Sequence, residues 1–193
     1  MKTIVMKCCV SAVFLLLAAC GLGQGHQHSQ EEYQPAAEVN KGSIAPLTVE
    51  LMNTKGAKVG IATLTEEKNG VRIKIEAKGL TPGRHGFHIH EIGKCEVPDF
   101  KTAGGHFNPY DRKHGFKNPK GPHGGDLPNL EADERGTIKA ETFASLVTLE
   151  EGKPNSLLDV DGSSLVIHAG PDDYETDPAG NSGDRVICGV ITK

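Results

Sequence analysis

The run Gly86-Phe87-His88-Ile89-His90-Glu91 restricts the fold more than any other part of the chain. In an extended strand residues i and i+2 share a face, so His88 and His90 point together to one side while Ile89 points to the other. Two imidazoles converging from one strand are metal-ligand geometry, and the apolar residue between them asks for a core on the opposite face. The chain must therefore set a sheet with one buried face beside a site that gathers nitrogen donors. Further histidines follow at His106, His114, His123 and His168.

The rest of the chain from Pro46 onward supplies such a sheet. Leu47, Val49 and Leu51 alternate with polar or small neighbours, and Val71, Ile73, Ile75 and Ala77 alternate with Arg72, Lys74 and Glu76, which is the period-two pattern of half-buried antiparallel strands. Turn chemistry falls at Asn53-Thr54-Lys55-Gly56, Asn69-Gly70, Pro82-Gly83, Glu134-Arg135-Gly136 and Asp161-Gly162. Strand-like runs also occupy 58–65, 84–90, 137–149, 163–168 and 185–192, with no internal repeat and no convincing long helix. With 24 Gly, 11 Pro and no Trp in 193 residues, the expected fold is all-β: one domain of about eight short strands in a sandwich or flattened Greek-key barrel.

Residues 91 to about 133 hold too few consecutive β-formers for a strand, and a structureless loop of that length needs something to order it. His106, His114, His123 and Asp126 are spaced by 8, 9 and 3 residues, a pattern that suits a loop wrapped round an ion better than a strand or a helix. Three imidazoles and one carboxylate form the closed four-coordinate set that a structural Zn²⁺ prefers.

The N-terminus reads as an address. Lys2 and Lys7 precede an apolar run from Val10 to Ala19, too short to span a bilayer but of the size and flanks of a secretory signal. Leu17-Ala18-Ala19-Cys20 resembles the lipobox of bacterial lipoproteins, which makes residues 1–19 a signal peptide and Cys20 the lipidated first residue of the mature chain; an ordinary signal cut nearby is the alternative. Residues 20–44 then form a flexible tether to a membrane, and His26 and His28 within it are either incidental or metal-capturing. Cleavage removes two lysines and no acid, changing the net charge from -4 to -6. Without a basic block, nucleic acid is not an expected partner.

Cys8 and Cys9 leave with the signal, so Cys95 and Cys188 are the two cysteines of the domain. In an oxidising compartment they are most simply a disulfide, the alternative being two thiolates that hold a soft metal.

Four segments together resemble the signatures of copper-zinc superoxide dismutase in its bacterial exported form: Gly86-Phe87-His88-Ile89-His90-Glu91, Gly104-Gly105-His106-Phe107-Asn108-Pro109, His123-Gly124-Gly125-Asp126-Leu127-Pro128 and the run from Gly180 to Ile191. They extend over most of residues 45–193. The resemblance implies an eight-stranded, immunoglobulin-like Greek-key β-sandwich or flattened barrel with long metal-binding and electrostatic loops. It implies dismutation of superoxide to dioxygen and hydrogen peroxide with copper as the redox-active ion. His88, His90, His106 and His168 would bind copper; His106, His114, His123 and Asp126 would bind zinc, His106 being shared. Asp172 would link a copper histidine to a zinc histidine. Arg185 would receive the superoxide anion, and His106 would move a proton. His85 matches a framework position. The family reading gives a cell-membrane-anchored lipoprotein facing the extracellular or periplasmic space, protecting the envelope, and is compatible with a homodimer.

The segment from His168 to Arg185 is shorter than in the animal enzymes and carries Asp172, Asp173, Glu175 and Asp177, with Asp184 directly before Arg185. These acids oppose the steering of an anion, and the lysines that would assist it are expected elsewhere, for example at Lys113 or Lys117, or to be absent. The alternative function is a noncatalytic copper-binding or copper-buffering envelope lipoprotein of the same fold, which loss of a copper histidine or of the arginine would mark.

Overall fold

Alternation along Gly70–Lys78 generates a strand with Val71, Ile73, Ile75 and Ala77 buried and Lys74, Glu76 and Lys78 exposed. The computed structural model describes residues 44–193; the expected signal, Cys20 and nearly all of the tether with His26 and His28 lie outside the described residues. Among the described residues nine strands follow one another: β1 Leu47–Asn53, β2 Lys58–Glu67, β3 Gly70–Lys78, β4 Gly83–His85, β5 Phe87–His90, β6 Leu130–Ala132, β7 Thr137–Ala144, β8 Ser163–His168 and β9 Arg185–Ile191. Among the described residues the only helical element is a single 3-10 turn, Lys101–Ala103.

Seven strands form one antiparallel sheet in the order β5-β8-β9-β1-β2-β3-β7, and β4 pairs with β6. The neighbours β9–β1, β3–β7 and β5–β8 are non-consecutive, as a Greek-key layout requires. Chain continuity curls the sheet on itself. At one edge β7 follows β6 through a turn in which Asp133 Oδ1 accepts the N–H groups of Arg135 and Thr137, and β6 pairs with β4, which runs into β5 at the other edge. Val49, Leu51, Leu64, Ile73, Ile75, Ile138, Leu165, Ile167 and Ile191 fill the interior, each removed from water at about 1.5–3 kcal/mol per fully buried side chain.

Three expectations change in detail. The run 84–90 is not one strand: it breaks at Gly86, whose N–H donates to Gly170 O and whose carbonyl accepts from His168 N–H. Those bonds divert it from either ladder, and a Cβ there would crowd Ser182. The break lets β4 pair with β6 while β5 pairs with β8. The stretch 91–133 does contain a strand, β6, only three residues long and therefore without a readable period. The run 137–149 ends at Ala144.

Cys95 and Cys188 form a disulfide across 93 residues, which excludes the thiolate alternative. It fastens the loop after β5 to β9 beside Phe100, Ala103 and Val166. Closing a loop of that length stabilises the fold by about 4–5 kcal/mol in the chain-entropy treatment. Intact-mass measurement of the soluble domain should show the loss of two hydrogens with no thiol open to alkylation, and Cys95→Ser should lower the unfolding free energy by a similar amount. Native alkylation of both cysteines would contradict the bond.

Candidate metal centre

β5 is buried along its whole length, with Phe87 and Ile89 in the core and His88 and His90 on the opposite face. The following loop lies against that strand as a further layer: Ile89 N–H donates to Gly125 O, Phe107 N–H donates to Ile89 O, and Gly125 N–H donates to Phe107 O. Single bridges place Asp126 beside His88 and His106 beside His90. His168 arrives from β8 at a bulge, where Ile167 faces Ile187 but His168 faces Arg185 and Val186 is the extra residue. Bulges re-aim side chains, and this one turns His168 to the histidine side and puts Arg185 next to it.

Each of these imidazoles is held through one nitrogen and leaves the other bare. His90 Nδ1 lies 3.0 Å from Gly104 O, His168 Nδ1 lies 3.0 Å from Gly183 O, and His88 Nε2 lies 2.7 Å from Asp172 Oδ2. His106 Nδ1 lies 2.8 Å from Asp126 Oδ1. The remaining nitrogens, His88 Nδ1, His90 Nε2, His106 Nε2 and His168 Nε2, are buried without any hydrogen-bond partner, and each of the four residues offers one ring nitrogen to a group whose atoms lie within 4.8 Å of one another. Buried polar atoms are almost always satisfied, so four converging lone pairs fit a metal ion. Four nitrogens suit copper.

The second cluster meets on one oxygen. Asp126 Oδ2 is occupied by the N–H groups of Gly115 and His123, at 2.8 and 2.9 Å. Its Oδ1 faces His106 Nδ1, His114 Nδ1 and His123 Nδ1 at 2.8, 3.1 and 3.2 Å. All four residues are buried, and three nitrogens with one carboxylate oxygen suit zinc. His106 therefore offers one nitrogen to each cluster. Asp172 spans them too, with Oδ1 3.0 Å from His114 Nε2 and Oδ2 on His88. Gly180, at φ +66°, is required here because a Cβ would overlap the Asp172 carboxylate.

Residues 58–191 match the family model for copper/zinc superoxide dismutase. The chain belongs to the copper/zinc superoxide dismutase family. A copper-zinc superoxide dismutase of Aquifex aeolicus is 54% identical over 143 residues, 74% of this chain and 84% of that protein. Among solved structures, a superoxide dismutase-like protein from Bacillus subtilis, in a double variant with two positions changed to histidine, is 47% identical with a TM-score of 0.74, covering 76% of this chain and 97% of that one. The Cu/Zn superoxide dismutase from Brucella abortus is 30% identical with a TM-score of 0.63, covering 76% of this chain and 99% of that one.

The sequence-expected residues of this superoxide dismutase family member all come together: the two four-residue clusters, Asp172 between them, and Arg185. Arg185 is half-buried, with Nη1 donating to Phe100 O at 2.8 Å and Nη2 to Gly104 O at 2.7 Å, the carbonyl that also holds His90. Arg185 also lines a concave mouth of about 510 Å³ together with Asp99, Lys101 and Asp184, and no histidine of either cluster is among its walls. The lysines expected to assist steering do not line this mouth: Lys113 pairs with Asp177, and Lys117 donates to Asp173 O. Lys101 does, paired with Asp99 at 2.8 Å. His85 is buried, with its ring nitrogens 2.7 Å from His168 O and 2.8 Å from Thr81 O, so it braces the loop behind His168. Sequence reasoning missed Asn129 and Tyr174, which contact Asp172, and the Phe100 carbonyl, presented from a left-handed backbone at φ 55°.

His114 differs in proton affinity from His88, His90 and His168. Burial drives His88 down to about 3 and His168 to about 4, against its partial offset by hydrogen bonding, and it pushes His90 well below its usual value. Those rings are neutral at physiological pH, as ligands must be. In the metal-free chain they favour the folded state above about 6.5, and that contribution is lost as pH falls toward 4 and 3. At His114 burial acts downward too, but the bonds to Asp126 and Asp172 outweigh it and lift the ring to about 9, a contribution complete below about 6.5 and lost as pH rises through 9. Zinc bound through His114 would displace that proton. Its affinity should climb by close to tenfold per pH unit between 7 and 9, and calorimetry at pH 7 in buffers of different ionisation enthalpy should find about one proton released per zinc. Proton-neutral uptake would contradict the assignment of His114.

Proposed function

We propose that the chain dismutates superoxide at a copper held by His88, His90, His106 and His168 and organised by a zinc held by His106, His114, His123 and Asp126. The observation that carries the reading is the set of four unpartnered imidazole nitrogens, one from the ring shared with the second cluster, adjoining a half-buried arginine. Likeness of fold alone would not choose between an enzyme and a copper-buffering protein, since a superoxide dismutase-like protein shares the fold. The complete histidine set together with Arg185 favours the enzyme.

Copper bound by those nitrogens supplies the one-electron exchange that converts one superoxide to dioxygen and, with two protons, a second to hydrogen peroxide. Arg185 offers a fixed guanidinium, oriented by Phe100 O and Gly104 O, that binds a small anion at the mouth. His106 Nδ1 is tied to the Asp126 side, which leaves Nε2 as the atom that holds a proton in one half of the cycle and gives it up in the other. Asp99 and Asp184 oppose the anion at the same mouth, so attraction is local and weak.

His90→Gln should abolish dismutation while zinc stays bound, whereas Arg185→Ile should keep both metals, lower the rate on the order of tenfold and flatten its fall with ionic strength. Metal analysis alongside a superoxide assay across a salt series checks both. Wild-type activity in the His90 variant would refute the copper assignment.

Export and anchoring belong to the same proposal. The leader pattern of residues 1–19 and the Cys95–Cys188 disulfide support export, and Leu17-Ala18-Ala19-Cys20 supports a lipid anchor, followed by a tether over 20–44 and the catalytic domain over 45–193, in a lipoprotein that protects the cell envelope. A homodimer is consistent with the family, and sedimentation of the soluble domain is its check. Expressed in bacteria, the full chain should fractionate with membranes, and Cys20→Ser should release it or leave the precursor uncut. A fully soluble wild-type chain with a different mature start would contradict the anchor.

A further inference from the structure

Asp172 touches a histidine of each cluster, yet what holds Asp172 is neither a ligand nor a residue of the mouth. Asn129, just before β6, clamps its backbone from both sides: Oδ1 accepts Asp172 N–H at 2.8 Å and Nδ2 donates to Asp172 O at 2.9 Å. Tyr174, two residues beyond Asp172, completes the arrangement. Its own N–H donates to Asp172 Oδ1 at 2.6 Å, and its hydroxyl oxygen accepts Asn129 N–H at 2.7 Å. Three hydrogen bonds thus join the Asp172 loop to the segment leading into β6, and the fourth ties Tyr174 to the Asp172 carboxylate within the loop.

Tyr174 is held in place by several independent contacts. Its φ of 65° is a left-handed conformation that a side chain other than glycine adopts where the surroundings impose it. Its carbonyl accepts Lys117 N–H at 2.9 Å, and its ring meets Phe116 edge-on at 5.5 Å, both partners lying in the loop that carries His114 and His123. Arg84 Nη2 approaches the hydroxyl at 3.4 Å from β4. The phenol is therefore a junction of three segments, and the carboxylate it steadies is the one that orients His114 and His88.

We propose that Tyr174 is a positioning residue for the zinc set: its hydroxyl, through Asn129, and its N–H fix the Asp172 carboxylate in the orientation that holds His114 against the ion. The proposal rests on the reading of His106, His114, His123 and Asp126 as the zinc ligands. A phenol that merely fastened a surface loop would change thermal stability and leave the metal environment alone. A phenol that acts through Asp172 changes the metal environment, and only while Asp172 is present.

The test uses the zinc-loaded domain, with cobalt(II) in the same site as a spectroscopic probe. Tyr174→Phe keeps the ring and removes the hydroxyl. It should weaken zinc binding roughly tenfold, the lower end of what loss of a ligand-orienting partner produces, and shift the visible cobalt bands. In an Asp172→Ala background the same change should have no further effect on zinc affinity. Asn129→Ala, which breaks the two side-chain bonds to Asp172, should reproduce the loss, so the outcome does not hang on how well the tyrosine variant folds. Unchanged zinc affinity and cobalt spectrum in both single variants, or an equal loss with and without Asp172, would overturn the role of Tyr174. A wild-type domain that takes up no zinc would instead overturn the ligand assignment beneath it.

Discussion

The convergence of three imidazoles on Asp126 Oδ1 is the interaction on which the rest of the site depends. The loop that supplies it has few aliphatic side chains to bury, so it cannot be ordered by the apolar transfer that orders the sheet. Backbone N–H groups of Gly115 and His123 occupy Oδ2 and leave Oδ1 turned inward, which makes one carboxylate oxygen the centre of a buried polar core. Burial alone would favour its neutral form, but the hydrogen bonds from His106, His114 and His123 hold it far below the usual carboxylate range. A dication at that point turns a hydrogen-bonded cluster into a coordination shell and makes metal binding part of the folding energy.

From Asp126 the geometry passes outward in two directions. Through His106 it sets the ring whose other nitrogen joins His88, His90 and His168, and through His114 it reaches Asp172 and so the nitrogen of His88 opposite its bare one. Three of the four copper-side histidines stand on strands, His88 and His90 on β5 and His168 at the end of β8, where the hydrogen-bonded ladder fixes them. Rigid strands thus meet a loop that is ordered by charge. The disulfide completes the join, since it ties the loop holding Phe100 and Gly104 to β9, and those two carbonyls aim Arg185.

Much of this was legible in the sequence because it depended on local period or on residue type. His88 and His90 share a face by strand geometry alone, the spacing of His106, His114, His123 and Asp126 pointed to an ion-ordered loop, and the cysteine count left one simple pairing. What was not legible depended on contacts distant in the chain. Gly86 breaks a run that reads as one strand because its backbone bonds to Gly170 and His168, over eighty residues away. β6 is too short to show alternation. Lys113 and Lys117 read as free cations in the sequence, but Asp177 and the Asp173 carbonyl take them, while Lys101 lines the concavity beside the arginine. Asn129 and Tyr174 have the look of turn residues, and nothing in their neighbourhood shows that they hold Asp172.

We propose that His106 is shared, with Nε2 given to copper and Nδ1 to zinc. Anomalous diffraction from crystals of the metal-loaded domain, recorded at the copper and zinc absorption edges, tests it directly. Two distinct peaks are expected, copper among His88 Nδ1, His90 Nε2, His106 Nε2 and His168 Nε2, and zinc among His106 Nδ1, His114 Nδ1, His123 Nδ1 and Asp126 Oδ1. A single metal position, or zinc at a site that does not include His106, would contradict it.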